Sequence, residues 1–221
     1  MEDSQVNIVL FGPPGAGKGT QAENLVNEFN FFRISTGDLL RTEIENKTPL
    51  SSIIKDAIDK GLFVQDEIIN EIIEKILSNK KYFNRLIFDG YPRNLNQGNY
   101  LDLLIKKYNQ KISCVLSLKV DQDVIIKRII GRQVCSRCKS TFNEFFNPAT
   151  KLNHSCDSKF LKKRSDDNED TIKNRINTYE EETIPVLGYY KNQDLLYEID
   201  GMGKISTIYK EIHRIIQSLG T

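Results

Sequence analysis

Gly12-Pro13-Pro14-Gly15-Ala16-Gly17-Lys18-Gly19-Thr20 joins an apolar run, Val6 to Phe11, to a segment with helical spacing. Glycines so spaced let a backbone turn with positive φ and bring its N–H groups against phosphate oxygens without a Cβ in the way. The following helix start adds free N–H donors and partial positive charge, and Lys18 adds a full cation for β- and γ-phosphates. The pattern predicts a nucleotide-phosphate site at Gly15, Ala16, Gly17, Lys18, Gly19 and Thr20. One position departs from the general form: Gly19 stands where a hydroxyl residue normally follows the lysine, and Thr20 comes second. One residue along a helix turns a side chain by about 100°. A magnesium ion brought by the nucleotide is therefore expected to rest on phosphate oxygens and water, with no protein ligand assigned.

Short apolar runs that can hold such a loop are Val6 to Phe11, Arg85 to Asp89, Ser113 to Leu118 and Leu195 to Ile199. Runs of this kind suit strands buried on both faces of a parallel sheet. Helical spacing appears between them. Asp66 to Leu77 puts Ile68, Ile69, Ile72, Ile73 and Ile76 on one stripe, Asp121 stands as a cap before Val124 to Ile130, and Lys204 to Leu219 repeats the pattern. Alternating strands and helices predict a doubly wound α/β fold. Ser35 to Val64 reads as short helices, and Gln133 to Lys163 has three cysteines, several aromatics and no clear period. A long aperiodic stretch in a compact domain marks a lid, a binding insertion or a subdomain. The run Arg164 to Asp170 is charged enough to be expected at the surface.

The bulk properties exclude other classes. With 221 residues, one domain with insertions is the default. Lys and Arg number 31 against 30 Asp and Glu, a net charge of +1, which gives no bulk attraction for nucleic acid or an anionic membrane. No apolar run approaches the ~20 residues of a membrane span. The first residues carry two acids and no early base, unlike a leader. Four cysteines are too sparse for a disulfide scaffold and suit a reducing compartment, so a cytoplasmic protein is expected; a monomer is expected as well.

Taken together, GPPGAGKGT, Ser35-Thr36-Gly37-Asp38-Leu39-Leu40-Arg41 and Asp89-Gly90-Tyr91-Pro92-Arg93 resemble adenylate kinase and its nucleoside monophosphate kinase relatives. The likeness extends to Gly131-Arg132, to Arg164-Ser165-Asp166-Asp167 with Arg175, and to the terminal IDGMGK. It implies a three-layer P-loop α/β fold with a parallel five-stranded core sheet (1–35, 65–131 and 170–221), a monophosphate-binding helical insertion (36–64) and a lid (132–169). The implied reaction is reversible transfer of the γ-phosphoryl of Mg-ATP to AMP, giving two ADP. GTP:AMP phosphotransferases and UMP/CMP kinases share much of the pattern and stand as alternatives.

The resemblance also assigns roles. Lys18, Arg93, Arg132, Arg164, Arg175 and Asp89 fall at catalytic positions, with Asp89 ordering magnesium-bound water. Arg128 and Gly203 fall at the ATP adenine. Thr36, Arg41, Phe63, Val64, Gly90, Arg93, Gln97, Arg164 and Arg175 fall at AMP, and Asp166 and Asp167 tie the closing lid. Arginine suits this work because its fork takes two phosphate oxygens at once. Thr36 and Gln97 favour adenine over pyrimidines, since an amide offers a donor and an acceptor together. Cys135-x₂-Cys138 looks like half a zinc site. Its completion is open: Cys156 lacks a ligand at x₂, because Lys159 stands there, and His154 or Asp157 are the substitutes; aromatic packing without metal is the other outcome.

Overall fold

The structure, a computed structural model, describes residues 6–79 and 84–220. The first five residues, on which the leader argument partly rests, lie outside the described set.

Five strands form one parallel sheet: β1 (Ile8–Phe11), β2 (Phe32–Ser35), β3 (Leu86–Asp89), β4 (Cys114–Lys119) and β8 (Leu196–Asp200), in the order β2-β3-β1-β4-β8. Four of them coincide with the apolar runs. β2 was not among the predicted strands, because FRIS has a charged residue and only Ile34 is fully buried. Side chains alternate across β1. Val9 and Phe11 join a core with Ile54, Ile69, Ile73, Leu77, Leu101 and Val186. Ile8 and Leu10 join the opposite core with Ala22, Leu25, Ile208, Ile212 and Ile216. Two buried faces of one sheet make three layers, and each fully buried Ile or Leu contributes roughly 1.5–3 kcal/mol.

The helices over these faces begin and end where their sequences dictate. α1 (Lys18–Phe29) starts after Gly17 and stops at Asn30, both left-handed, with φ 98° and 56°. Between β2 and β3 lie α2 (Thr36–Glu45), capped by the Ser35 side chain accepting from Asp38 N–H, then α3 (Ser51–Asp59) and α4 (Asp66–Leu77). α4 buries Ile69 and Ile73 of the predicted stripe fully and Ile68, Ile72 and Ile76 partly, and it adds Leu77, which the stripe did not include. α5 (Leu95–Lys107) is capped by Asn94. α6 (Gln122–Ile130) follows Asp121, which occupies the cap position without a side-chain cap bond.

After α6 the chain leaves the main sheet. β5 (Arg132–Cys135), β6 (Thr141–Asn143) and β7 (Leu161–Lys162) make a small antiparallel sheet in the order β6-β5-β7. The stretch expected to be aperiodic is thus a subdomain with strands too short to show alternation. α7 (Glu169–Thr178) runs into a π-helical turn, Tyr179–Thr183, and α8 (Ile184–Lys191); α9 (Ile205–Ser218) closes the chain. Among the described residues no helix is long and apolar enough to cross a membrane.

Candidate active site

At the carboxyl ends of the parallel strands lies a cleft of about 570 Å³, where open α/β sheets place their ligands. Its floor is the loop between β1 and α1. Gly15 has φ +78°, and a Cβ there would meet Ile129 at 2.8 Å, so a side chain is excluded twice over. Gly17 has φ +98°, stands at the N-cap of α1 and lines the cleft. Lys18 Nζ donates to the Gly12 and Pro13 carbonyls at 2.6 and 3.0 Å. Burial pushes the Lys18 pKa down to about 8, with Arg93, Arg175 and Arg132 adding repulsion against the pull of Asp89.

Gly19 gains a structural reason. A Cβ on it would lie 2.9 Å from Arg33 Nη2. Arg33 fills that room because its guanidinium is tied to Asp89, with Nε and Nη2 both on Oδ2 at 3.0 and 2.5 Å. Among the described residues no hydrogen bond falls on Asp89 Oδ1. The sequence reading missed Arg33; recognising β2 would have put it on the same strand face as Ser35, two residues on.

On the α2–α3 side, Arg41 donates to Asp38 at 2.6 Å, and Arg33 and Arg164 stand 3.6 and 3.7 Å from the same carboxylate. Despite burial, which acts the other way, Arg41 and Arg33 hold the Asp38 pKa at about 2. Arg93 Nε donates to the Gly90 carbonyl at 2.7 Å, and its guanidinium lies over the Phe63 ring at 4.9 Å. Thr183, from the π-helical turn, donates its hydroxyl to the Arg93 carbonyl. Phe63, Val64 and Gly90 line the cleft. Thr36 and Gln97 lie behind its wall, 2% and 1% exposed; the Thr36 hydroxyl donates to the Gly90 carbonyl at 2.7 Å.

Arg132, Arg164 and Arg175, on β5, the segment after β7 and α7, also line the cleft. Arg132 is bonded to both oxygens of Asp167, and Arg175 stands 3.0 Å from Asp166 and 3.6 Å from Asp167. The surface expectation for Arg164 to Asp170 is therefore corrected at two positions: Asp166 is buried and the Asp167 side chain is 0% exposed. Their partners lie elsewhere in the chain and pull them inward. Burial, with Arg132 and Arg41 adding to it, pushes Arg164 down to about 9; burial and Arg175 push Arg93 to about 10. These directions mark a cluster of cations with too few anions to match it.

At the other end, Arg128 donates to the Gly201 carbonyl at 2.9 Å and lies 5.6 Å from the Phe146 ring. Gly203, Thr20, Met202, Ile205 and Phe146 line the same cleft as Arg128. Phe146, Phe142 and Thr141 were missed because their segment shows no period that would assign its aromatics to one face.

The cysteines in and around the small antiparallel sheet converge. One ligand atom each from Cys135, Cys138, His154 and Cys156 lie within 4.8 Å of one another, and His154 Nε2 is buried without a hydrogen-bond partner. Asp157, the other substitute, instead accepts from the Lys159 N–H as a cap.

Lys18, Arg41, Arg93, Arg128, Arg132, Arg164 and Arg175, from several elements, all face the one cleft that the phosphate loop floors. Such a cleft performs phosphoryl transfer by positioning and charge stabilisation, without a nucleophile of its own, and that is the chemistry of a P-loop nucleotide kinase. A family model described as Adenylate kinase matches residues 10–195. Similar whole chains include the adenylate kinase of Pelagibacter ubique, 46% identical over 96% of this chain and 100% of its own. That of Enterococcus faecalis is 39% identical over 96% and 99%, and that of Methanosarcina barkeri 39% over 96% and 99%. The chain belongs to the adenylate kinase family.

Proposed function

We propose that this protein catalyses reversible transfer of the γ-phosphoryl group of Mg-ATP to AMP, giving two ADP, and so balances adenine nucleotides. The observation that carries the reading is the set of cations facing one cleft: Lys18 from the loop, Arg41 and Arg93 from the α2–α3 side, and Arg132, Arg164 and Arg175 from β5, the segment after β7 and α7.

ATP takes the end where its adenine lies beside Arg128, Phe146 and Gly203 and its phosphates lie over Gly15 to Thr20. AMP takes the other end, with Arg41 and Arg93 on its phosphate. An AMP oxygen attacks the γ-phosphorus in line, the β–γ bridging oxygen leaves with ADP, and Lys18, Arg132, Arg164 and Arg175 balance the charge on the equatorial oxygens. Arg41, Arg93, Arg132 and Arg175 are already oriented by a carboxylate or carbonyl, and Arg164 stands 3.7 Å from Asp38, so little reorganisation accompanies the reaction. Magnesium, when bound with the nucleotide, neutralises phosphate charge. The cleft fits it through Asp89, whose Oδ1 is left free by Arg33 and can order metal-bound water, while Gly19 removes the usual hydroxyl ligand.

We infer further that Cys135, Cys138, His154 and Cys156 hold a structural zinc. Three thiols and an imidazole are a zinc donor set, and their ligand atoms already lie within 4.8 Å of one another, against about 3.8 Å between the ligands of a tetrahedral zinc. The unpartnered His154 Nε2 supports the same reading. The four cysteines are unpaired, which suits a reducing cytoplasm.

The deciding experiment is a coupled ADP assay pairing ATP or GTP with AMP, UMP, CMP or GMP. Turnover greatest with ATP and AMP is expected; no diphosphate from that pair at any concentration refutes the reading. Elemental analysis should find about one zinc per chain, and a metal-free lid refutes the zinc assignment.

A further inference from the structure

The Gln97 amide is held at both ends. Its Oε1 accepts from the Arg93 backbone N–H at 2.8 Å, and its Nε2 donates to Asp66 Oδ1 at 2.6 Å. A backbone N–H can only donate and an ionised carboxylate can only accept. One of the two flip states of the amide satisfies both partners; the other sets donor against donor and acceptor against acceptor. Asp66 is fixed in turn, because Asn94 Nδ2 bonds both its oxygens at 3.0 and 3.1 Å while Asn94 Oδ1 accepts from the Gln97 N–H at 2.9 Å. This closed ring is joined through the Arg93 backbone to the wall of the cleft, which Arg93 lines.

A primary amide has two N–H donors and two acceptor lone pairs. The ring uses one of each and leaves one of each. The Watson–Crick edge of adenine offers an acceptor at N1 and a donor at the 6-amino group, which the locked amide complements. A 6-oxo purine offers a donor at N1 and an acceptor at O6, and needs the amide flipped. We propose that Asp66 is a specificity-determining positioning residue, which fixes the flip state of Gln97 and thereby selects a 6-amino over a 6-oxo purine monophosphate. The proposal rests on the proposed AMP reaction and on the resemblance, which puts Gln97 at the AMP base; contact needs the base to reach an amide that is 1% exposed behind the cleft wall. It assigns the work of discrimination to a carboxylate that does not touch the substrate. A mismatched edge would leave buried polar groups unpaired, the kind of penalty by which binding sites reject near-isosteres most strongly.

The test compares AMP with inosine monophosphate, which differs only at this edge, by kcat/KM at saturating Mg-ATP. Asp66→Asn keeps the size of the side chain but can present either a donor or an acceptor to Gln97. It should narrow the AMP-to-IMP ratio by about tenfold, carried by a lower KM for IMP. Gln97→Leu removes the reader and should collapse the ratio. Asp66→Glu, retaining an acceptor-only group, should restore much of it. A ratio that collapses in Gln97→Leu but stays put in Asp66→Asn overturns the role of Asp66, as does a lowered melting temperature with an unchanged ratio. A ratio unmoved by Gln97→Leu overturns the base contact itself, and the inference with it. If Asp66→Asn does not fold, Asn94→Ser loosens Asp66 while keeping a capping hydroxyl, and the same two outcomes apply.

Discussion

Lys18 folds back on the Gly12 and Pro13 carbonyls, with its pKa pushed down to about 8 by burial and the surrounding guanidinium groups. ATP replaces that surrounding with phosphate oxygens, which should return the ammonium to about its ordinary 10.4. At pH 8 about half of the nucleotide-free protein holds Lys18 neutral, so binding should take up about 0.5 proton per site. The uptake should be about 0.9 at pH 9 and below about 0.1 at pH 6.5 from this group. The nucleotide's own phosphate, with a second pKa near 6, contributes little at pH 8 and above. Titration calorimetry in two buffers of different ionisation heat reads the proton count directly. Because binding takes up a proton, affinity for ATP should fall as pH rises above 8. Folding moves the other way: the unfolded chain keeps this proton to about pH 10.4, so the Lys18 contribution to stability improves between pH 8 and 10.4. An uptake near zero at pH 8 to 9, or an equal uptake in Lys18→Met, refutes the argument.

Other expectations concern parts of the site and its support. Gly15→Val places a β-branched residue at φ +78° against Ile129, so ATP affinity should fall at least about tenfold in a binding titration. Asp167→Ala leaves Arg132 without its bidentate partner in a buried place; urea unfolding should show a loss of about 3 kcal/mol, and turnover should drop with it. Ile73→Ala, in the wholly buried face of α4 away from the cleft, should cost about 2–5 kcal/mol in the same experiment while KM for both nucleotides stays put.

Legibility followed how local each signal was. α4 and the loop at Gly12 to Thr20 are written in consecutive residues, one by its period and the other by glycine spacing, and both stand where expected. β2 is four residues long with one fully buried side chain, too little for a period to show, and Arg33 went unnoticed with it. The strands β5, β6 and β7, of two to four residues, fail for the same reason. Asp166 and Asp167 misled in another way: their composition says water, whereas the ion pairs that bury them come from Arg132 and Arg175, which only the fold brings near. The choice between His154 and Asp157 also depended on tertiary geometry, since each stands two residues or fewer from Cys156.

Arg33 ties two motifs together in a way that limits how either can change. A serine or threonine installed at position 19, the commoner residue after a phosphate-loop lysine, would press on the Arg33 tip. That tip cannot swing aside without releasing Asp89. Conversely, shortening Arg33 makes room at 19 but unfastens the carboxylate. Positions 19, 33 and 89 thus behave as one inherited unit: exchanges among them are expected to be strongly non-additive, and a drift toward the hydroxyl-bearing loop must alter at least two of them at once.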